Sequence, residues 1–342
     1  MKQSETKLNK DGKQVTETLG EAGSKHTYSL EEKMAFSKVI NEVLADDELL
    51  AERLPIDPET DDLFTACDDG IIFCKLVNKI QPDTVNDRVL KKGKNIFEVK
   101  ATINMALSAI KAVGGKVFGT DAELIIKHTE HLILGLLWQL IKLLMNQDID
   151  ILKHPEMIKL AEGEEEFNDL LAMPKEKILI RWMNWHLKEA GSDRRIKNFG
   201  KDIKDSVAYT TVINHIENSA IGMDNLDNED MSERAKNVIQ GGENLGAKAI
   251  IIPKDITSGN VKLNTIFAAK IFNENHGLPP LNEEEEEEFK QAELMDDDIE
   301  GTREERAFRM WINSLDLGDD QEHVNNLYEE CKDGLLLMKV MD

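Results

Sequence analysis

Cysteine is almost missing from this 342-residue chain; Cys67, Cys74 and Cys331 are the whole supply. Three thiols cannot build a disulfide framework, and their scarcity fits a reducing compartment. Proline and glycine are also few, 8 and 21, which excludes collagen-like and linker-like chains and leaves room for uninterrupted helices. No long apolar run exists. The most apolar stretch, Leu132–Ile141, already contains Gln139 and is followed by Lys142, so it is too short to span a bilayer. The N-terminus, MKQSETKLNKDGK, has no signal-peptide core. These absences predict a soluble cytoplasmic protein with no membrane insertion. Cations are outnumbered too: 42 Lys and Arg against 66 Asp and Glu give a net charge of −24, which disfavours nucleic acid.

The negative charge is uneven. Residues 27–148 carry −6 and 170–278 carry +1, while 149–169 carry −5 and 279–342 carry −15. The acidic stretches predict solvated connectors, Glu162–Glu166 in the first and the run Glu283–Glu288 in the second. Residues 1–26 are polar and predict a disordered arm. Elsewhere the apolar spacing is 3–4 rather than 2, in Val207–Ile216, Ala101–Val113 and Met231–Leu245, so the predicted fold is all-α. One short run, Ala249–Ile252, also suits a strand.

A divergent repeat organises these helices. Glu32–Asn41, Lys175–Asn184 and Glu304–Asn313 align without gaps on a final Asn, with Trp182 matching Trp311. Each is followed by an Asp, a small residue and an apolar helix: Asp69-Gly70-Ile-Ile, Asp205-Ser206-Val-Ala and Asp333-Gly334-Leu-Leu. Asp in that place accepts from the free amides of a helix start, so Asp69, Gly70, Asp205 and Asp333 read as structural, as do Trp182 and Trp311. The third copy stops at Asp342, before its last helices. A partial repeat cannot close a core, so the chain reads as a fragment of a longer one.

Catalytic signals are lacking. His128-Thr-Glu-His131 does not have zinc-helix spacing, Gly241-Gly-Glu-Asn-Leu-Gly246 is no phosphate loop, and no Gly-x-Ser-x-Gly occurs. No enzyme activity, metal or cofactor is expected. The helix around His131 is more telling. Apolar residues surround most of it and leave one stripe, His131, Gly135, Gln139 and Lys142. It is either a core helix with one wet edge or a helix whose edge meets a partner.

These blocks, with His131-Leu-Ile-Leu-Gly-Leu-Leu-Trp-Gln-Leu-Ile-Lys142, Asp202–Ser206, Gly259–Asn264 and Glu300–Arg306, resemble calponin homology repeats in the order found in the fimbrin (plastin) family. The resemblance implies a first domain at 27–148, a second at 170–278, linkers at 149–169 and 279–301, and the start of a third at 302–342, each domain a bundle of about four main helices. It implies that a tandem pair binds filamentous actin, within a cross-linking and bundling protein. The implied contacts lie on Leu30–Leu44, His131–Met145 and Lys175–Lys188, and give the candidates Lys33, Lys38, His131, Gly135, Gln139, Lys142, Lys175, Arg181 and Trp185. Trp185 suits an interface anchor or half-buried packing on the neighbouring domain, and Lys91-Lys-Gly-Lys94 and Arg194-Arg-Ile-Lys197 are local basic clusters, either solvated loops or groups that attract an acidic filament. Many fimbrins carry calcium-binding EF-hands. Here Lys7 and Thr18 stand at the first and last ligand positions of the only loop of that kind, so no calcium gating of this chain is expected. A monomer is expected. The competing reading is a scaffold that uses such domains on another partner.

Overall fold

The computed structural model describes residues 4–8, 14–19, 25–163, 167–287 and 289–290, together with eight single positions from Phe308 to Met338. Trp311 and Asp333 lie outside the described residues. The chain divides into two compact units, one made of Met1–His154 and Pro174–Leu278, the other of Pro155–Met173 and Pro279–Asp342.

The first unit opens with an antiparallel meander, β1 (Ser4–Leu8), β2 (Gln14–Leu19) and β3 (Lys25–Ser29), in the order β1-β2-β3. This corrects the disordered arm expected for 1–26. Composition gave too little apolar content for an independent fold, yet the strands pair in register, Thr6 with Thr16 and Thr16 with Tyr28. β2 and β3 also lie against the first helix.

The first domain then follows as α1 (Leu30–Val43), α2 (Asp62–Ala66), α3 (Ile71–Ile80), α4 (Ile96–Ala112), α5 (Ala122–Ile126) and α6 (Glu130–Asn146). Its core is the meeting of α1, α3, α4 and α6 through Phe36, Ile40, Phe73, Ile103, Ile110 and Leu137, all essentially inaccessible. Each such side chain contributes roughly 1.5–3 kcal/mol by burial. The second domain repeats the plan in α8 (Lys175–Glu189), α9 (Val207–Ile216), α10 (Met231–Asn244), α11 (Pro253–Ser258) and α12 (Val261–Glu274), after a short α7 (Phe167–Ala172) that belongs to the other unit. Residues 249–252 form no strand; Ile250 and Ile251 are buried in irregular chain between α10 and α11. Among the described residues no helix is long and apolar enough to cross a membrane.

The polar residues shared by the repeats are staples. Asn41 donates to the Ile56 carbonyl and accepts from its amide (2.8 and 2.7 Å). Asn184 does the same with Ile196 (2.9 and 2.8 Å). Each Asn thereby fixes the loop that returns after the first helix of its domain. The Asp blocks are equally alike. Asp69 accepts from the Ile71 amide (3.1 Å) and Asp205 from the Val207 amide (3.2 Å). Asp69 is clasped by Arg53 and Asp205 by Arg194. The intervening residue is left-handed in both, Gly70 at φ +82° and Ser206 at φ +64°. At Gly70 a Cβ would stand 2.9 Å from the Ile103 backbone, so glycine is required there.

Trp182 is buried and donates its Nε1–H to the His276 carbonyl (2.7 Å). His186, also inaccessible, lies 2.8 Å from the same carbonyl through Nε2 and 2.8 Å from His215 Nδ1 through its own Nδ1. A carbonyl only accepts, so His186 carries its hydrogen on Nε2, and its Nδ1 accepts from His215. Burial holds the His186 pKa down at about 4.

In the second unit the two acidic connectors are not free linkers. Met157, Leu160, Phe167 and Leu170 are buried, residues 283–287 and 289–290 are helical, and Phe289 packs edge-on against Phe167 at 5.2 Å. Lys159 pairs with Glu285 at 2.8 Å. The apolar residues interleaved with the acids drive this, and charge counting alone overlooked them. Residues 291–301 lie outside the described residues. Ile312 and Leu336 are buried together with Leu327 and Cys331 packed on them.

Two outcomes follow. Ser206 holds a left-handed conformation with a buried hydroxyl that has no hydrogen-bond partner, where the first domain has glycine. Ser206→Gly is expected to stabilise the chain by about 1 kcal/mol in urea unfolding. Because the folded His186 pKa lies below the unfolded value of 6.5, the unfolded state takes up the proton first as pH falls. Stability attributable to this group is intact above pH 6.5 and is lost down to about pH 4, on the order of 3 kcal/mol in all. His186→Gln is expected to flatten that part of the stability–pH curve, read from unfolding midpoints between pH 7 and 4.

Candidate functional site

α1 is enclosed on several sides. Phe36 and Ile40 face the core; β2 and β3 lie on α1, and β3 also lies against α6. Its acids reach the second domain. Glu31 meets Lys254 at 2.9 Å, Glu32 meets Lys262 at 2.9 Å, and Glu42 meets Lys270 at 2.5 Å. The Lys262 ammonium also sits 5.5 Å over the Trp138 ring of α6, which stacks on Phe36. Asn273 of α12 donates to the Met145 carbonyl at the end of α6 (3.0 Å). Burial pushes the Glu31 carboxyl up, but hydrogen bonds from Lys254, its own amide and Ser29 outweigh it and leave the pKa lowered. Asp255 shows the reverse balance. Burial raises it to about 6, with Glu31 adding to the rise and Lys254 and Lys38 opposing it.

This arrangement revises the expected surface. Lys33 is not on it: the side chain is 3% exposed, and its ammonium donates to the Thr60 carbonyl (2.6 Å) and pairs with Asp61 (3.3 Å). It ties α1 to the 59–61 loop, because a buried ammonium needs acceptors all round. Lys38 is partly buried, and its charge acts on Asp255 of the second domain. On α6 the stripe stays at the surface. Gly135 and Lys142 are exposed and His131 and Gln139 partly so, while Ile133, Leu134, Leu137, Leu140 and Ile141 are buried. A Cβ at Gly135 would meet nothing within 4 Å. Glycine inside a helix costs roughly 0.5–1 kcal/mol relative to alanine, and nothing in the packing calls for it.

On α8, Lys175 and Arg181 are partly buried and Lys188 is exposed. Trp185 is partly buried and leans edge-on against His186 (4.9 Å between rings) and His215 (6.1 Å). It therefore packs on its own domain. Helices α1 and α6 pack on each other, but Lys33 turns to the 59–61 loop and the charge of Lys38 acts on the second domain; the α8 candidates sit on the first helix of the second domain.

One surface escaped the candidate set. Phe97 is 81% exposed, with Val89 and Ile96 about half exposed, beside Lys91, Lys92 and Lys94. A cleft of about 570 Å³ adjoins them, lined by Arg53, Asp69, Lys92, Ile96 and Val99 among others. The basic cluster was visible in sequence; the signal passed over was the apolar pair Ile96-Phe97 directly after it, at the first turn of α4.

The comparisons agree with this geometry. The model of the calponin homology (CH) domain matches residues 32–146 and 173–277. The chain is 40% identical to a fimbrin of Saccharomyces cerevisiae over 94% of its length and 50% of that protein's. It is 41% identical to a fimbrin of Dictyostelium discoideum over 94% and 51%, and 36% identical to plastin-2 of Danio rerio over 96% and 52%. It thus spans about half the length of the curated relatives it matches. The crystal structure of the actin-crosslinking core of Schizosaccharomyces pombe fimbrin aligns with a TM-score of 0.66 and 33% identity, covering 92% of this chain and 60% of that one. Two matched copies in one chain, each with the same Asn and Asp staples, mean that this protein belongs to the calponin homology domain family, as a tandem pair similar to those of the fimbrins and plastins.

Proposed function

We propose that the tandem pair binds filamentous actin and supplies one filament-binding unit of a cross-linking, bundling protein. The observation that carries this reading is the α6 stripe. Four residues form one surface edge of a helix whose opposite face, Ile133, Leu134, Leu137, Leu140 and Ile141, is buried, and the edge contains a glycine the fold does not use. A bare backbone at that point allows a partner's surface to approach the helix closely. Elsewhere on the first domain the start of α4 presents the ingredients of a shallow interface, exposed apolar Phe97 and Ile96 beside Lys91, Lys92 and Lys94. The likeness to fimbrins supports the same reading, as does the name of the solved fimbrin core, whose title describes an actin cross-linker. Such a protein works in the cytoplasm, on the actin cytoskeleton, as a monomer and without catalysis. Lys38, His131, Gly135, Gln139, Lys142, Lys175, Arg181 and Trp185 remain the proposed contacts; Lys33 does not.

Co-sedimentation of the chain with filamentous actin tests this. Pelleting at micromolar filament is expected, and its absence would remove the function. Gln139→Glu with Lys142→Glu is expected to weaken binding about tenfold or more with helical circular dichroism unchanged, since it places two like charges on the rim; unaltered affinity removes α6 from the site. Gly135→Ala separates fold from function. It is expected to raise the unfolding free energy by about 0.5–1 kcal/mol, while lowering filament affinity.

A further inference from the structure

Asp255 carries a buried carboxylate that the fold leaves half satisfied. It lies on α11 of the second domain, 2% exposed, and its neighbour Lys254 reaches across to α1 of the first. We propose that Asp255 makes the contact between the two domains responsive to pH: the seam of α1 with α11 and α12 tightens as the medium turns acidic and loosens as it returns to neutral.

Three observations carry it. The first is an unmatched oxygen. Oδ2 of Asp255 accepts from the Ile252 amide (2.9 Å), but Oδ1 is buried with no hydrogen-bond partner. A buried charge is tolerated where donors surround it, so the neutral acid is the cheaper form at this place. The second is the cluster of groups at the seam. The Lys254 ammonium goes to Oε1 of Glu31 (2.9 Å), whose side chain is 8% exposed, and Oε2 of Glu31 accepts from the Ser29 hydroxyl (2.9 Å). Two carboxylates, one from each domain, thus stand about one ammonium, and Glu31 holds it. Like charges sharing a site disfavour each other's ionised form. Lys38 of α1, partly buried, also acts on Asp255. The third is the direction in which parting the domains moves the proton. Burial raises the Asp255 pKa to about 6, the Ile252 amide lowers it, Glu31 adds to the rise, and Lys254 and Lys38 oppose it. When the domains part, Glu31 leaves and Lys254 is released to Asp255, so the carboxyl becomes more acidic. The closed pair therefore binds the proton more tightly, and by linkage a fall in pH through about 6 favours closure, a gain that is absent well above that pH.

Three further elements pack against α11. On α12, Lys262 is engaged by Glu32, and Asn264 donates to the Asp255 carbonyl (2.8 Å). The 201–203 turn brings Lys201 and Asp202, the latter held by the Lys197 amide and Asn198, and Lys204 lies beside Gly259 at the end of α11. α10 brings Arg234, Glu243 and the pair Glu233–Lys236 (3.6 Å). None of these groups hydrogen-bonds Oδ1. If the carboxyl of the parted domains titrates at the ordinary 3.8, the closed-to-open ratio rises about fourfold between pH 7.5 and pH 5.5, which is the upper limit of the effect.

His186 titrates in a neighbouring range with the opposite sign, but its partners His215 and His276 lie within the second domain. The readout is therefore the distance between the domains and not the unfolding midpoint. Single-molecule fluorescence energy transfer follows it in the full chain, with dyes at Lys111→Cys on α4 and Lys236→Cys on α10, both exposed positions, in a Cys331→Ser background that leaves two buried thiols. The closed-to-open ratio is expected to rise about two- to fourfold from pH 7.5 to pH 5.5. Asp255→Asn keeps an oxygen for the Ile252 amide and has no charge to lose. Its ratio is expected to be flat across that range, and at pH 7.5 to match that of the labelled chain with Asp255 at pH 5.5. A ratio that stays constant or falls on acidification in the chain with Asp255 overturns the proposal without recourse to the variant. An equal rise in Asp255→Asn overturns it too, since the sensor then lies elsewhere.

Discussion

Glu31, Glu32 and Glu42 leave α1 on the side where the second domain sits, and each meets a lysine there. The three pairs are unequal. Lys254 and Lys262 are more than 40% exposed, so each of their pairs is worth no more than about 1 kcal/mol and weakens with salt. Lys270 is 7% exposed, and a lysine so buried cannot lose its partner cheaply. The contact between the domains is therefore one firm ion pair near the C-terminal end of α1, softer pairs near its N-terminal end, and the Phe36–Trp138–Lys262 stack between. The orientation of α1 and α6, and with it the stripe on α6, depends on this seam.

The same physics explains why the two domains resemble each other where they do. An Asn that binds both the amide and the carbonyl of one distant residue satisfies a whole peptide group in the interior. No apolar residue can replace it without leaving two orphan groups. The Arg-clasped Asp before a left-handed residue is similar: it satisfies an amide at the start of α3 or α9 and neutralises its own charge. Apolar positions between these staples exchange one hydrophobe for another at modest cost, which is why Val39 stands where the other copies have tryptophan.

That division also sets what the sequence could reveal. The long helices α1, α3, α4, α6, α8, α9, α10 and α12 followed from periodicity and the repeat, as did the Asn and Asp positions; the short α2, α5, α7 and α11 did not. Position on a helix did not reveal burial for a charged residue. Lys33 looked like one more surface cation, and only the 59–61 loop folding back gives it acceptors. The strands were illegible because a polar sheet draws its stability from contacts made far along the chain, with α6. The connectors were misjudged in the same way: counting charges across 149–169 hid Met157, Leu160 and Phe167, which are buried. Phe97 was missed because an aromatic at the first turn of a helix reads as core until the fold exposes it.

The charge of the chain raises a last difficulty, since a net −24 does not suit a partner that is itself acidic. Long-range repulsion is cut off at about 10 Å in ordinary salt, so the local balance decides. Residues 170–278 carry +1, but Lys254, Lys262 and Lys270 are spent on the glutamates of α1. Lys33 is spent on the 59–61 loop. The cations left exposed on the first domain include Lys142, on the glycine edge of α6, and Lys91, Lys92 and Lys94, beside the exposed Phe97 in sequence. The seam thus commits three lysines of the second domain to pairs within the chain. Lys91, Lys92 and Lys94 sit next to the exposed Val89, Ile96 and Phe97, so attraction there leads to binding only for a partner whose shape also fits.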